Sequence, residues 1–390
     1  MLRVVKALIA NGLFSIMSLL LSVMIARLGG SDDLGMFGVA FAAYLLIQLI
    51  VRDAGANTLS ATLPTAGRIR TTAGRISLMG IVLAVPVLLV GLIFSYPYMA
   101  ILGCAVHGIC LYDYSKTLSL SLGNGKMAIA QDSILFTVFL IASVLAITGR
   151  IGPVGLMAVW AGCGAVVGYL VSLKQVFKLT PTWAGSPAEL RASLGFGLQS
   201  LMGAGSVHVL TFLLAGVAGP ILVGAIRGAS TIVGPANLIT STLQPLLITS
   251  FARTAPEEGA VSMRAVVKSS AGITWANLVL VAGLVLIGYN FGGMLLGAAW
   301  EDSAPLLIVV ACDSIFVALG CAPLAAHRSI WAAGRLASIN TLTAFSRIPL
   351  VLVGAALGGA LGAAGAFLFV TIANTAALWL SLHQLHKQWR

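Results

Sequence analysis

Three arginines and one aspartate stand inside long apolar stretches of this chain: Arg27, Arg227, Arg347 and Asp313. An ionised side chain in hydrocarbon costs about 2.5–3.5 kcal/mol or more, so it faces a partner or a wet cavity. Arginine is suited to anions, because its planar two-pronged donor set matches phosphate and it keeps its charge when water is removed. The chemistry these positions suggest is recognition of a phosphorylated lipid, with the anionic head in a cleft and the tail in the bilayer. Asp313 is the candidate for ion coupling. Plainer readings stand beside these. Arg27, near the outer end of its stretch, can snorkel outward, and Arg347 can pair with Asp313 between neighbouring helices. Arg227 lies some seven residues below the outer face, roughly 10 Å deep, with no acid in sequence reach. The remaining buried-stretch charges fall toward the inner ends. Arg52 with Asp53 reads as a helix-end pair. Asp113 and Lys116, three apart on one helical face, read as partners of each other, and Asp132 as a solvated helix start.

The elements that hold these residues are bilayer-crossing helices. The composition is 59% hydrophobic and 8% charged, and nearly all of it parses into apolar runs of about 20 residues, the length a spanning helix needs. Twelve are expected, near 7–28, 34–56, 76–95, 97–118, 128–148, 153–174, 193–216, 220–248, 267–289, 303–325, 337–357 and 361–382. Basic residues appear in every second link. Arg3 and Lys6 precede the first span; Arg68, Arg70 and Arg75 lie before the third; Lys126 follows the fourth. Lys174, Lys178 and Arg191 surround the central link, and Arg253, Arg264 and Lys268 follow the eighth span. Arg328 and Arg335 follow the tenth, and Lys387 and Arg390 end the chain. The opposite links hold Asp32, Asp33, Glu301 and Asp302, with Arg150 the one clear basic exception. Lys and Arg stay on the cytoplasmic side during insertion. The expectation is an even span count with both termini in the cytoplasm of a bacterial inner membrane. The net charge of +11 then reads as topology and contact with anionic lipid heads rather than as a nucleic-acid surface.

No link is long enough for a soluble catalytic domain. The five cysteines fall inside spans and read as small packing residues, and His383 with His386 lacks further ligands for a metal. There is no phosphate-cradling loop with its lysine, no nucleophile elbow and no zinc motif. No catalytic residue, metal or cofactor is expected, and the chain is read as a non-enzyme. Tyr112, Tyr114, Trp160, Tyr169 and Trp275 read as interfacial belt residues, or as sugar-stacking surface.

The chain also reads as duplicated. Six spans precede the link at 175–192 and six follow, giving lobes 1–185 and 186–390. Gly30 and Gly35 correspond to Gly219 and Gly224 at an offset of 189 residues. An even number of spans per lobe gives both lobes the same orientation, related by an axis along the membrane normal, with a central cavity between them. Gly354, Gly358 and Gly362 form a small-xxx-small run for close helix contact. Pro86, Pro235, Pro245, Pro323 and Pro349 interrupt helical pairing.

Three segments resemble one family. IARLGGSDDLGMFG at 25–38 resembles the first-loop signature of the bacterial polysaccharide and O-antigen flippases, of the multidrug/oligosaccharidyl-lipid/polysaccharide exporter superfamily. GAIRGASTIVGPANLITSTLQPLLITSFAR at 224–253 resembles their eighth-helix pattern, and GAALGGALGAAGAFLFVTIANTAALW at 354–379 their penultimate-loop pattern. The match is of pattern and span count over most of the chain, which is short for that family. The resemblance implies an all-α polytopic membrane protein of twelve transmembrane helices in two six-helix lobes. It implies a flippase that turns an undecaprenyl-pyrophosphate-linked oligosaccharide to the outer leaflet by alternating access, alongside polysaccharide-assembly proteins. Arg27, Arg227 and Arg347 are the candidates to receive the pyrophosphate. Two alternatives remain open. One is a cation-coupled multidrug exporter of the same superfamily, expected to carry acids deep in the first lobe, where this chain shows them shallow. The other is a membrane oligosaccharide polymerase or ligase, expected to need a larger outer loop.

Overall fold

A computed structural model describes residues 2–57, 59, 65–175, 177, 179–202, 205–254, 261–330 and 332–388. Lys178 and Arg390 lie outside the described residues, as do the side chains of Arg3, Lys6, Arg253 and Pro245. Every regular element among the described residues is helical. α1 (Leu2–Val51) runs into a π-helical turn, Arg52–Asn57; α2 (Ala66–Ile93), α3 (Pro97–Ser121), α4 (Gly125–Ile147) and α5 (Pro153–Lys174) follow. After the central link come α6 (Pro187–Met202), α7 (Gly205–Ala218), α8 (Pro220–Thr254), α9 (Met263–Leu296), the short α10 (Ala299–Ser303), α11 (Leu307–Ser329) and α12 (Ala333–Gln388).

α1 and α12 are each too long for one crossing, and each breaks at glycine. α1 bends at Gly30, with φ 73°; α12 bends at Gly358 and Gly359, the latter with φ 56°. A side chain is strained in that left-handed region, and glycine is not. With the arms of α1 and of α12 taken singly, α6 with α7 as one and α10 with α11 as one, these together with α2, α3, α4, α5, α8 and α9 give the twelve crossings read from the sequence. Seven of the described helices are long and apolar enough to cross a membrane by themselves. Their outward faces carry large apolar side chains, with Leu357 85% exposed and Ile147 70% exposed. Helices that satisfy their own backbone and show hydrocarbon outward are what a bilayer requires. This is a multi-pass membrane protein.

By contact the chain forms two compact units, Met1–Phe212 and Leu213–Arg390. In the first, α3 is the hub, packed against α2 and α5. With lipid outside there is no hydrophobic drive between helices, so close contact must come from small residues. A Cβ at Gly168 of α5 would strike the Gly108 carbonyl of α3. An aromatic core of Phe37, Phe41, Tyr44 and Trp160 fills the interior, Trp160 standing edge-on to Tyr44 at 5.1 Å between centroids. α6 joins this unit: the Ser193 hydroxyl donates to the Ala54 carbonyl at the π-helical turn.

In the second unit α11 packs against α8, α9 and α12. Pro323 has no N–H to offer the carbonyl of Leu319, one turn back. That carbonyl instead accepts the Ser270 hydroxyl of α9 at 2.9 Å and the Trp379 indole N–H of α12 at 3.3 Å. His327 is fully buried, with Nδ1 2.8 Å from the Pro323 carbonyl and Nε2 3.0 Å from the Ser381 hydroxyl. Beyond the bend, the arms of α12 pass at Gly354 and Gly362, where a Cβ on either would strike the other's carbonyl. The small-xxx-small run thus works within a hairpin.

The duplication has a structural counterpart. Gly219, between α7 and α8, has φ 84°, and Gly30, its partner at the 189-residue offset, has φ 73°. Each of the two glycines joins two helical segments in the left-handed region.

Candidate functional site

The four positions singled out by charge lie on three long helices and α1. Arg27 is exposed, three residues before the bend at Gly30. Arg227 is half-buried on α8. Its carbonyl accepts the Thr231 hydroxyl at 2.8 Å, and the next residue, Gly228, admits the Ser303 side chain where a Cβ would collide. Arg347, on the first arm of α12, and Asp313, on α11, are both half-buried and lie within electrostatic reach of each other. Thr371 on the second arm lies beside Asp313. Arg347 Nε and Asp313 Oδ1 are nevertheless buried without hydrogen-bond partners. These two residues are brought together; Arg27 belongs to the other compact unit.

The charges of the first unit depart from their sequence reading. Asp113 and Lys116 do not pair. Lys116 Nζ lies 2.8 Å from Asp132 of α4 and 5.0 Å over the Phe14 ring. Asp113 accepts a 2.7 Å hydrogen bond from Gln48 Nε2, which also reaches the Tyr44 hydroxyl at 3.0 Å. Asp132 does not face solvent at a helix start: it is 1% exposed and accepts the Tyr112 hydroxyl. Gln131 beside it donates to Ser115 at 2.7 Å. Arg52, from the π-helical turn, lies within electrostatic reach of Asp113. Asp113 is 2% exposed, and its Oδ2 has no hydrogen-bond partner. The belt reading also fails for Tyr112, Tyr114 and Trp160, all buried; it suits Tyr169 and Trp275, which are exposed. Phe14, Tyr44, Tyr112 and Trp160 line a small void beside this network.

Single-span reading missed the network because each charge was weighed on its own helix. The signal lay across the short α3–α4 turn: Lys116 and Asp132 stand at similar distances on either side of it, so an antiparallel hairpin sets them face to face. Lys116 therefore finds a closer counter-charge across the hairpin than along its own helix. The first unit thus buries two acids that the sequence placed near an aqueous end. Arg75, counted there as a retention charge, is likewise 5% exposed.

No family model matches the sequence, and no curated protein does. Solved structures do match. The lipid II flippase MurJ in an inward closed conformation superposes with a TM-score of 0.76 at 12% identity, over 96% of this chain and 87% of that one. An inward-facing multidrug resistance MATE family transporter of the MOP superfamily gives 0.74 at 13% identity, over 96% and 95%. A MOP superfamily transporter from Pyrococcus furiosus, described as having a binding pocket of reversed polarity, gives 0.63 at 14%, over 100% and 95%. The chain has the twelve-helix fold of these transporters.

Proposed function

We propose that this protein is a flippase that moves an undecaprenyl-pyrophosphate-linked oligosaccharide from the inner to the outer leaflet of a bacterial cytoplasmic membrane. Alternating access between six-helix lobes 1–185 and 186–390 would carry the substrate. The observation that carries this reading is Arg347: a guanidinium deep in a spanning helix, with Nε buried and unbonded although Asp313 is near. A dry donor of this kind suits an incoming phosphate oxygen, since charge-assisted bonds to phosphate are the strong ones. Arg227 and Arg27 are assigned the rest of the pyrophosphate and sugar path, and Asp313 ion coupling. The likeness of fold to MurJ, itself a lipid II flippase, supports the substrate class. Polysaccharide-assembly proteins are the proposed partners, and both termini are assigned to the cytoplasm.

The test is export. Arg227→Ala and Arg347→Ala should each abolish surface glycan while the protein stays in the membrane at normal level. Normal glycan in both variants would reject the assignment. A second reading, a cation-coupled drug exporter, is favoured by one observation, the buried Asp113 and Asp132. It would be signalled by raised drug sensitivity with normal glycan when Asp113→Asn is introduced.

A further inference from the structure

Arg75 is an arginine that is buried with two of its three side-chain nitrogens unpaired. It lies on the third turn of α2, 5% exposed. Nη2 donates to the Thr72 hydroxyl at 2.9 Å, but Nε and Nη1 are buried with no hydrogen-bond partner. A guanidinium offers five donors and cannot give up its proton, so leaving two of its nitrogens dry is expensive unless something visits them. The central link covers it: the Thr182 main-chain N–H donates to the Gly74 carbonyl at 3.1 Å, and the Ser77 hydroxyl donates to the Leu179 carbonyl at 2.6 Å. The Thr182 hydroxyl is a second buried group here without a partner.

Gly185, an exposed residue of the link with φ 149°, lies beside the guanidinium. A Cβ there would come within 3.2 Å of Arg75 Nη1 and 3.2 Å of Glu189 Oε2. An exposed residue without a side chain thus stands next to the guanidinium. Glu189 stands at the same point, bound elsewhere. Arg68 Nη2 lies 2.5 Å from its Oε1, and the Ser186 main-chain N–H donates to Oε2 at 3.3 Å. The Glu189 N–H returns a bond to the Ser186 hydroxyl, closing a capping box at the start of α6, with Pro187 in the first helical position. Partial burial opposes ionisation of Glu189, but the Ser186 N–H and the two arginines prevail and hold its carboxyl below the usual range. Trp183, 47% exposed on the same link, is the residue type that settles at headgroup depth.

We infer that Arg75, Arg68 and the Thr182 hydroxyl form a phosphate-binding site under the central link, entered at Gly185, with Glu189 as a built-in counter-anion that the ligand displaces. The site is a collecting point for phosphate-bearing lipid heads on the face that the flippase reading makes cytoplasmic, and in that respect rests on that reading. The same chemistry would take a soluble pyrophosphate.

Purified full-length protein in phosphatidylcholine nanodiscs should bind phosphatidic acid included in the disc, or inorganic pyrophosphate added to solution. The arm that responds names the source. Arg75→Gln should weaken binding about tenfold, and Glu189→Gln should strengthen it several-fold. Arg191→Gln, an exposed charge on the same helix, should change nothing. Binding of neither ligand, or equal binding by wild type, Arg75→Gln and Glu189→Gln, overturns the site. If Arg75→Gln fails to fold, the Glu189→Gln arm decides alone. Protein that binds through Arg75 yet exports no glycan would sink the flippase reading and leave this site standing.

Discussion

At the scale of single residues, the molecule spends its few charges in two ways. Lys116 and Asp132 form a buried ion pair at 2.8 Å, although Asp132 Oδ2 makes no hydrogen bond within it, whereas Arg75, Arg347 and Asp113 keep a buried polar atom unbonded with no ion pair of that closeness among the described residues. The first arrangement is structural and has a clear signature. Removing one member of a buried pair strands the other charge, at about 3–5 kcal/mol, while replacing both is often near neutral. Lys116→Met and Asp132→Asn should each lower the thermal midpoint in detergent, and the double variant should recover most of the loss. Additive losses would mean the two charges do not depend on each other. The residues with chemistry to offer were legible in the sequence as charges at depth. Their partners were not, because Asp132 and Gln48 lie on other helices and a one-dimensional reading has no crossing angles. Arg75 escaped for a related reason: a basic residue just before a span is ordinarily a topological marker, and only the folded link over it makes it buried.

At the scale of elements, helix identity was read well from hydropathy, but the breaks were not read from glycine: Gly30 served there as a repeat marker and Gly358 as a close-contact residue. Gly30 and Gly359 bend α1 and α12 where the chain must reverse, and a side chain there would be strained. What the sequence did not disclose was reach. α2 begins ten residues before the apolar run, at Ala66, capped by Thr65, whose hydroxyl accepts the Arg68 N–H at 3.4 Å. That extension carries Arg68 and Arg75 out to the link. Glycine number alone also misleads, since the roles differ sharply. Gly354→Ala puts a methyl group against the Gly362 carbonyl, whereas Gly365→Ala meets nothing within 4 Å and keeps ordinary torsions. We expect the first to destabilise by about 1–3 kcal/mol and the second to be neutral or slightly stabilising, read as thermal midpoints of the purified protein. Equal effects would remove the hairpin contact as an explanation.

At the scale of the whole molecule, alternating charge in the links and the matching glycine torsions at 30 and 219 point to the same six-plus-six plan. The even count requires both chain ends on one side. Reporter fusions at residue 1 and residue 390 should both give a cytoplasmic signal; a periplasmic C-terminus would break the plan and reverse the side assigned to Arg75. Pro323, inside α11, bears on how such a plan can move. A proline break usually serves as a hinge because its orphaned acceptor is free to trade partners with water. Here the Leu319 oxygen is stapled by Ser270 on one side and Trp379 on the other. Swinging α11 away would forfeit both ties in a solvent that offers no replacement. α9, α11 and the last arm of α12 are therefore tied together at this level, and we expect them to move as one.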